Sequence, residues 1–340
     1  MTTFKFEYIW LDGYTPEPNL RWKTNILHMD DFSWDHTQLP ERWFDWSSTG
    51  QADWGSSDLV LLPVRCYPDP IRENWRLVMC EVLNSDRTPH HSNARSFINN
   101  DDPNEWWFWF EQEYVLERDA KPLWFPHETY PSYPAPQGKY YCGVGYDQMT
   151  HIARKVVEEH LDMCLYAWID VTCINAEVLK WQWEFCVLSK WAKKAWDDLW
   201  IARYLMMRLW EGYGLDLNLI PKPVRWDWNG TWMHCNFSNK KMRDEWWEEY
   251  FIAICEALWN RVQEHIAVYG SGNEYRLTWH HETQSIDQFS YGVSDRGASI
   301  RIPLWTVDHW WKWRLEDRRV AANADPYKVV AVMLETLHDF

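Results

Sequence analysis

Glycine is scarce in this chain: 13 residues in 340, about 4% where roughly 7% is usual. No two of the eight cysteines stand in a C-x-x-C pair, which argues against zinc ribbons and thioredoxin-type chemistry and leaves reduced thiols as the expectation. No run of about 18 apolar residues is present, so no membrane-spanning helix is expected. The opening MTTFKFEYIW has no basic stretch leading into an apolar one, so no secretory signal is expected and the location expected is cytoplasmic. Clustered Lys and Arg are also missing. With a net charge of −16 and a pI near 5.2, the chain is not expected to bind nucleic acid or an anionic membrane surface. What it has instead is apolar mass: 46% hydrophobic residues, with 29 Trp.

The first 85 residues read as β-rich. FKFEYIWL (4–11), LRWKTNIL (20–27), DLVLLPVRCY (58–67) and WRLVMCEVL (75–83) carry β-branched and aromatic residues between turn-rich segments. The polar, breaker-rich segment 84–105 reads as a linker, which places a small β domain at 1–85 and a larger domain at 86–340. In the latter, WFWFEQEYVL, YRLTW, ASIRIP and WRLEDRRV read as strands. Residues 150–167, 190–214 and 241–270 repeat apolar positions at helical spacing, the last as one helix or two. DPYKVVAVMLETL (325–337) opens with an Asp N-cap and Pro at the first helical position. The class is α+β.

Glu111 and Glu113 stand one residue apart behind five aromatics. On a strand they share a face, roughly 7 Å apart, where two bare charges repel by about 2 kcal/mol at an effective dielectric of 20. Alone, the pair also fits a solvated edge. Glu177, Glu184 and Glu316 add carboxylates, and His234 stands amid Asn229, Asn236 and Ser238. Oxygen-rich clusters with one imidazole suit Mg²⁺ or Mn²⁺. Arg276, Arg296, Arg301 and Arg318 lie in strand-like contexts. Arginines beside divalent cations fit phosphoryl transfer from ATP. Asp317 reads as an ion-pair partner, and His151, His160, His280 and His281 as surface or structural.

The segments YIWLDG, FDWSSTGQA, FEQEY, PQGKYYCGVG, INAEV, QWEF, LWIARY, PKPVRWDWNG, NFSNKKMR, HETQSIDQFSYGVSDRGASIRIP and EDRRVAANADPY occur in this order along nearly the whole chain. In them the sequence resembles the eukaryotic-type (type II) glutamine synthetases. The resemblance implies a β-grasp-like N-terminal domain and a catalytic domain with a curved antiparallel sheet flanked by helices. It implies ATP-dependent ligation of ammonia to L-glutamate through a γ-glutamyl phosphate, giving glutamine, ADP and phosphate. By the same resemblance Glu113, Glu177 and Glu184 hold one divalent cation, and Glu111, His234 and Glu316 a second near the γ-phosphate, with two to three Mg²⁺ or Mn²⁺ per site. Arg276 binds the substrate α-carboxylate, with Asn229 and Gly230 nearby. Arg296, Arg301 and Arg318 stabilise the transferring phosphoryl group. Asp45 helps deprotonate ammonium, and Glu282 sits on a flap over the intermediate. The assembly implied is a homo-oligomer, a decamer of two pentameric rings with active sites between subunits.

The chain departs from the family's pattern in one direction. Trp46, Trp109, Trp168, Trp196, Trp226, Trp232, Trp279 and Trp313 stand where the family has Gly, which points to an engineered or generated sequence. Leu304, Val320 and Arg314 replace the family's Arg, Pro and an aromatic residue. A catalytically impaired homologue that keeps fold, assembly and metal or nucleotide binding is therefore the alternative, and a ligase with another amine acceptor a lesser one.

Overall fold

The computed structural model describes residues 1–45, 47–52, 58–98, 104–119, 121–122, 140–144, 152–190, 192–225, 227–245 and 247–340. Five strands build the first sheet: β1 (Thr2–Leu11), β2 (Leu20–Met29), β3 (Arg42–Asp45), β4 (Asp58–Pro68) and β5 (Trp75–Leu83). Their order is β2-β1-β5-β4-β3, with β1 and β5 parallel and the other pairs antiparallel. The four segments read as strands in the sequence are all strands here.

Side-chain alternation gives this sheet two buried faces. Phe6, Tyr8 and Trp10 point to one side and pack with Phe32, Leu39, Leu61 and Val78 into a core of the sheet's own. Ile9, Tyr67, Leu77 and Met79 point to the other and merge with the core of the rest of the chain. A buried ionic seam accompanies that second face. Asp197 accepts from Arg95 Nε at 2.8 Å, Arg65 Nε at 3.1 Å and Tyr327 Oη at 2.7 Å, while Tyr67 Oη donates to Asp198 at 2.9 Å. The polar segment after β5 is thus anchored at Arg95 through a buried ion pair.

The second sheet holds β6 (Trp107–Arg118), β7 (Lys121–Pro122), β8 (Val171–Ala176), β9 (Gln182–Ser189), β10 (Asp216–Asn218), β11 (Met233–Ser238), β12 (Tyr291–Val293), β13 (Ile300–Ile302) and β14 (Leu315–Asp317). The order is β12-β13-β14-β11-β6-β9-β8, with β7 and β10 also paired to β6. All pairs are antiparallel except β12 with β13. On β6 one face carries Phe108, Phe110, Gln112, Tyr114 and Leu116, all buried. This face packs on α1 (Ile152–Tyr166) and α2 (Ala192–Tyr213). Phe108 meets Trp196 edge to face at 5.9 Å, and Tyr114 lies 5.2 Å from Trp210. The opposite face carries Glu111 and Glu113.

The helical spacings at 150–167, 190–214 and 325–337 each give a helix, the last being α7 (Pro326–Thr336), whose cap Asp325 accepts from Tyr327 N at 3.0 Å. The stretch 241–270 breaks into three helices rather than one or two: α3 (Lys240–Asp244), α4 (Glu248–Asn260) and α5 (Val262–Ile266), with Arg261 off helical backbone between the last two. A short α6 (Leu304–Asp308) precedes β14. YRLTW is not a strand. The amides of Arg276 and Leu277 both donate to the Asn273 carbonyl, at 3.1 and 2.9 Å, and Arg276 Nε donates to Asn273 Oδ1 at 2.9 Å. Local side-chain bonding thus wins a helical turn over β-propensity.

Seven tryptophans lie on left-handed backbone: Trp34, Trp168, Trp181, Trp279, Trp310, Trp311 and Trp313. Trp168 is the clearest. It follows α1 with Trp168 N bonded to Leu165 O at 3.1 Å and Ile169 N to Cys164 O at 3.0 Å, the paired bonds of a Schellman cap. Gly214 closes α2 with the same two bonds, Gly214 N to Glu211 O and Leu215 N to Trp210 O. Their φ values are equal at 61°. One end has the glycine that the conformation favours; the other has an indole. Left-handed backbone costs an L residue about 1–2 kcal/mol, so seven such sites together rival a stability of about 5–15 kcal/mol. Trp109, Trp196 and Trp232 have ordinary backbone, and Trp46 and Trp226 lie outside the described residues.

Candidate active site

Residues directly opposite on neighbouring strands share a face. Across the sheet, one row reads Cys173, Cys186, Glu111, His234. The next reads Asn175, Glu184, Glu113. Beside the first row, Asn236 faces Glu316, which faces Arg301. The face opposite the helix-covered core is therefore paved with carboxylates, one imidazole and arginines. Period-2 alternation on β6 produces this: the apolar residues go to the core and the two glutamates to the far side.

Two groups of ligand atoms form there. Glu111, His234 and Glu316 bring one atom each within 4.8 Å of one another, and so do Glu113, Glu177 and Glu184. The six proposed ligands thus converge, in the two threes in which the resemblance divides them. Within the first group His234 Nδ1 lies 3.1 Å from Glu111 Oε2 and 3.6 Å from Glu316 Oε1. Asn236 Nδ2 donates to Glu111 Oε1 at 2.8 Å. Glu316 also accepts from Arg301 at 2.7 Å and Arg318 at 2.5 Å. Within the second, Gln182 Nε2 donates to Glu113 Oε2 at 2.6 Å, and Trp232 N to the same oxygen at 3.1 Å. Asn175 Nδ2 and the Val178 amide hold Glu177 at 2.8 and 3.1 Å.

The electrostatics divide along the same line. Burial, then the charges of Glu177 and Glu184, pushes the Glu113 carboxyl well above the usual range. Burial, then Glu111 and Glu177, does the same to Glu184. Burial pushes Glu177 up to about 7 against the hydrogen bonds from Val178 and Asn175. No arginine pairs with these three among the described salt bridges. Glu316 is equally buried, but Arg318, with Arg301 beside it, outweighs the burial and holds its carboxyl below the usual value. Burial, then Arg318, holds the His234 imidazole well below its ordinary value, hence neutral. A neutral imidazole and under-compensated carboxylates are the donor set that a divalent cation needs. Glu113 Oε1 and His234 Nε2 are both buried without a hydrogen-bond partner, so the residues present fit a cation in each group.

The other proposed residues sit around this face. Arg276 is buried and donates to the carbonyls of Arg318 at 3.2 Å and Arg319 at 2.6 Å. Gly230 lies against it: a Cβ there would come within 2.4 Å of Arg276 Cγ and 2.7 Å of Pro221 O, so only glycine fits. Asn229 is buried beside it. Arg296 pairs with Glu282 at 3.4 Å, and Arg318 donates to the Glu282 carbonyl at 3.4 Å. His281 and Glu282 are consecutive left-handed residues. Asp45 ends β3; its side chain lies outside the described residues, as does His151.

Two features were not read from the sequence. Gln182 ties Glu113 to the Gly230 carbonyl at 2.9 Å, and Gln112 on the core face of β6 accepts twice from the buried Arg203, at 2.6 and 2.9 Å. Both amides lie beside glutamates in sequence, but nothing in a linear string reports a partner about 50 to 90 residues away. Asp317 is an ion-pair partner, 2.6 Å from Arg319, and His160 is structural, bonded to the Ala202 carbonyl at 3.0 Å.

Trp232 lies over the site. Its indole stacks on the His234 ring, centroids 4.9 Å apart and planes 21° from parallel. The guanidinium groups of Arg276 and Arg318 are each 5.8 Å from its ring. Arg314 stacks at 4.1 Å on Trp109, the aromatic neighbour of the glutamates on β6.

Residues 3–85 match the family model described as glutamine synthetase, beta-Grasp domain. Over 339 residues the chain is 52% identical to a glutamine synthetase of Bradyrhizobium diazoefficiens, covering 99% of this chain and 97% of the relative. The chain belongs to the glutamine synthetase family. The glutamine synthetase of Rhizobium meliloti is 49% identical, over 97% of this chain and 99% of its own length. That of the fungus Colletotrichum gloeosporioides is 42% identical, over 98% and 91%. The β-grasp domain of the family is thus the five-stranded sheet described above. The family's divalent metal and ATP also agree with a face of carboxylates flanked by arginines.

Proposed function

We propose that the protein is a glutamate–ammonia ligase: it makes glutamine from glutamate, ammonium and ATP through a γ-glutamyl phosphate. The observation that carries this reading is the convergence of Glu111, His234 and Glu316, and of Glu113, Glu177 and Glu184, on one sheet face in a chain matched end to end by relatives that bear the enzyme's name. The impaired homologue is not favoured, because those six residues are all in place. The eukaryotic-type resemblance is supported by the fungal relative, matched over 98% of this chain.

In this reading Glu113, Glu177 and Glu184 hold one Mg²⁺ or Mn²⁺, and Glu111, His234 and Glu316 another. Bound cations would neutralise the phosphate oxygens and polarise the γ-phosphoryl group. The chain's own residues do the rest. Arg301 and Arg318, fixed by Glu316, and Arg296 present fixed positive charge where the transferring group's oxygens gather charge. Arg276, with Asn229 and Gly230, takes the α-carboxylate of glutamate. Glu282, tethered to Arg296 and Arg318, closes over the acyl phosphate and excludes water, which would otherwise hydrolyse it. Asp45 removes a proton from ammonium, which has no lone pair until it loses one.

Residues 1–85 and 86–340 serve as the N-terminal and catalytic domains, and the assembly is a decamer of two pentameric rings. Large apolar residues left exposed on β2, Trp22 and Ile26, are consistent with a covered edge. A cytoplasmic location agrees with eight free cysteines and with the fact that no helix among the described residues is long and apolar enough to cross a membrane. The tryptophans at 168, 279 and 313 occupy backbone that favours glycine, in line with their standing at glycine positions of the family. The test is phosphate release that requires ATP, Mg²⁺, glutamate and ammonium together. Release no greater than that of a Glu113→Ala control would refute the assignment.

A further inference from the structure

The row that carries Glu111 and His234 continues, on the same face, into Cys186 and Cys173. The two cysteines are directly opposite each other on β9 and β8, where a bulge between Val171 and Cys173 shifts the register of β8. Cys186 is buried and Cys173 reaches solvent, so an ion has a path in. Cys186 Sγ lies 3.7 Å from Glu184 Oε1, and the two sulfurs and a Glu184 oxygen are all within 4.8 Å of one another. Bonds of about 2.3 Å to sulfur and about 2.0–2.2 Å to oxygen space ligand atoms about 3.5 Å apart around a tetrahedral cation. Closing this trio therefore takes rotamer adjustments alone.

We propose that Cys173, Cys186 and Glu184 form a site for a soft divalent cation such as Zn²⁺, separate from the two oxygen-rich groups but sharing Glu184 with one of them. Two thiolates favour a soft ion over Mg²⁺. Binding releases the two thiol protons to solvent and leaves a fourth position for water. Because one Glu184 oxygen turns to the sulfurs, the ion weakens the group formed with Glu113 and Glu177, and so acts as an inhibitor. That second consequence rests on the proposed role of Glu184 in catalysis; the binding itself does not.

Cadmium separates the two, since only thiolate ligation gives its ultraviolet charge-transfer band. Titration of the Mg²⁺-loaded full chain with Cd²⁺ is expected to develop the band to one equivalent per chain. Cys173→Ser and Cys186→Ser should each abolish it, whereas Cys142→Ser, outside the trio, should leave it intact. A band that survives both substitutions, or never forms in the folded protein, overturns the site. With Zn²⁺, the Cys173→Ser enzyme should keep its Mg²⁺-supported activity and need at least about tenfold more Zn²⁺ for half inhibition. Equal sensitivity with the cadmium band lost would leave the site and refute only its inhibitory role.

The distribution of tryptophan carries a second, independent inference. Among the described residues, fifteen that are not glycine have positive φ, and seven of them are Trp. Bulky residues are outliers there, and Asn or Asp would be the usual substitutes for Gly. The indole of Trp181, one of the seven, is also buried with its N–H lacking a hydrogen-bond partner. We infer that these left-handed positions are glycine in the polypeptide made by the gene's own host, through a codon that host reads as glycine and other translation systems read as tryptophan. UGA is a codon with more than one such meaning. The gene is then expected to carry UGA at positions 34, 168, 181, 279, 310, 311 and 313, and peptides of the host's protein spanning them to have the glycine mass. UGG at all seven, or peptides with the tryptophan mass, overturns the inference.

Discussion

The Trp232 indole lies face to face with the His234 imidazole, 4.9 Å between centroids, and reaches toward the guanidinium groups of Arg276 and Arg318. It thus takes up space between a proposed cation ligand and the proposed carboxylate clamp. Trp232→Gly should open that space. The expected result is a rise of about tenfold or more in kcat/KM for glutamate, about 1.4 kcal/mol of transition-state stabilisation, with the KM for ATP little changed. Steady-state kinetics with each substrate varied checks it; an unchanged glutamate dependence would show the indole to be out of the substrate's way.

The Glu113 carboxyl is raised by burial and by two neighbouring carboxylates. A group raised in the fold stabilises below its unfolded value and costs stability as pH rises past it. At pH 8 without divalent cations, Glu113→Gln should therefore stabilise the protein by about 1–2 kcal/mol while abolishing ligase activity. Added Mg²⁺ should raise the melting temperature of the parent and have a smaller effect on the variant. Thermal denaturation with EDTA and with Mg²⁺ reads both.

Asp197 shows the opposite sign. Burial opposes its charge, but Arg95, Arg65 and the Tyr327 hydroxyl hold its carboxyl below the usual value. Its contribution is present above the unfolded value of about 3.9 and is lost as pH falls through the lower folded value. Arg95→Met should cost about 3 kcal/mol at pH 7, because a buried charge loses its main partner. The gap from the parent should narrow below about pH 4. Urea denaturation across pH 3–7 measures it.

Trp168 and Gly214 end their helices with the same bonds and the same φ. Trp168→Gly should stabilise by about 1 kcal/mol, and Gly214→Trp should destabilise by a similar amount. Equal melting temperatures for Trp168→Gly and the parent would show that packing of the indole, which meets Trp34 edge to face at 4.6 Å, makes good the backbone cost.

Much of this was legible in the sequence where period and chemistry coincide. On β6, alternation alone put Glu111 and Glu113 on one face and Phe108, Phe110 and Tyr114 on the other. The N-terminal strands and α7, with its Asp-Pro start, were equally plain. YRLTW misled because β-propensity says nothing of the Asn273 side chain that fixes Arg276 in a turn. The break of 241–270 at Arg261 has no Gly or Pro to announce it. Gln182 and Arg203 could not be read, because their partners are distant in sequence: Gln182 bonds Glu113, and Arg203 bonds Gln112 and the Ala322 and Ala324 carbonyls. The grouping of the six ligands into two threes came from resemblance; the strand order β14-β11-β6-β9-β8 supplies its physical basis.

The central claim, that this sheet face holds two cations in two sets of three ligands, is tested most directly by crystals grown with Mn²⁺ and measured at the manganese absorption edge. The account predicts one anomalous peak among Glu111, His234 and Glu316 and another among Glu113, Glu177 and Glu184. Manganese elsewhere on the protein, with neither group occupied, would contradict it.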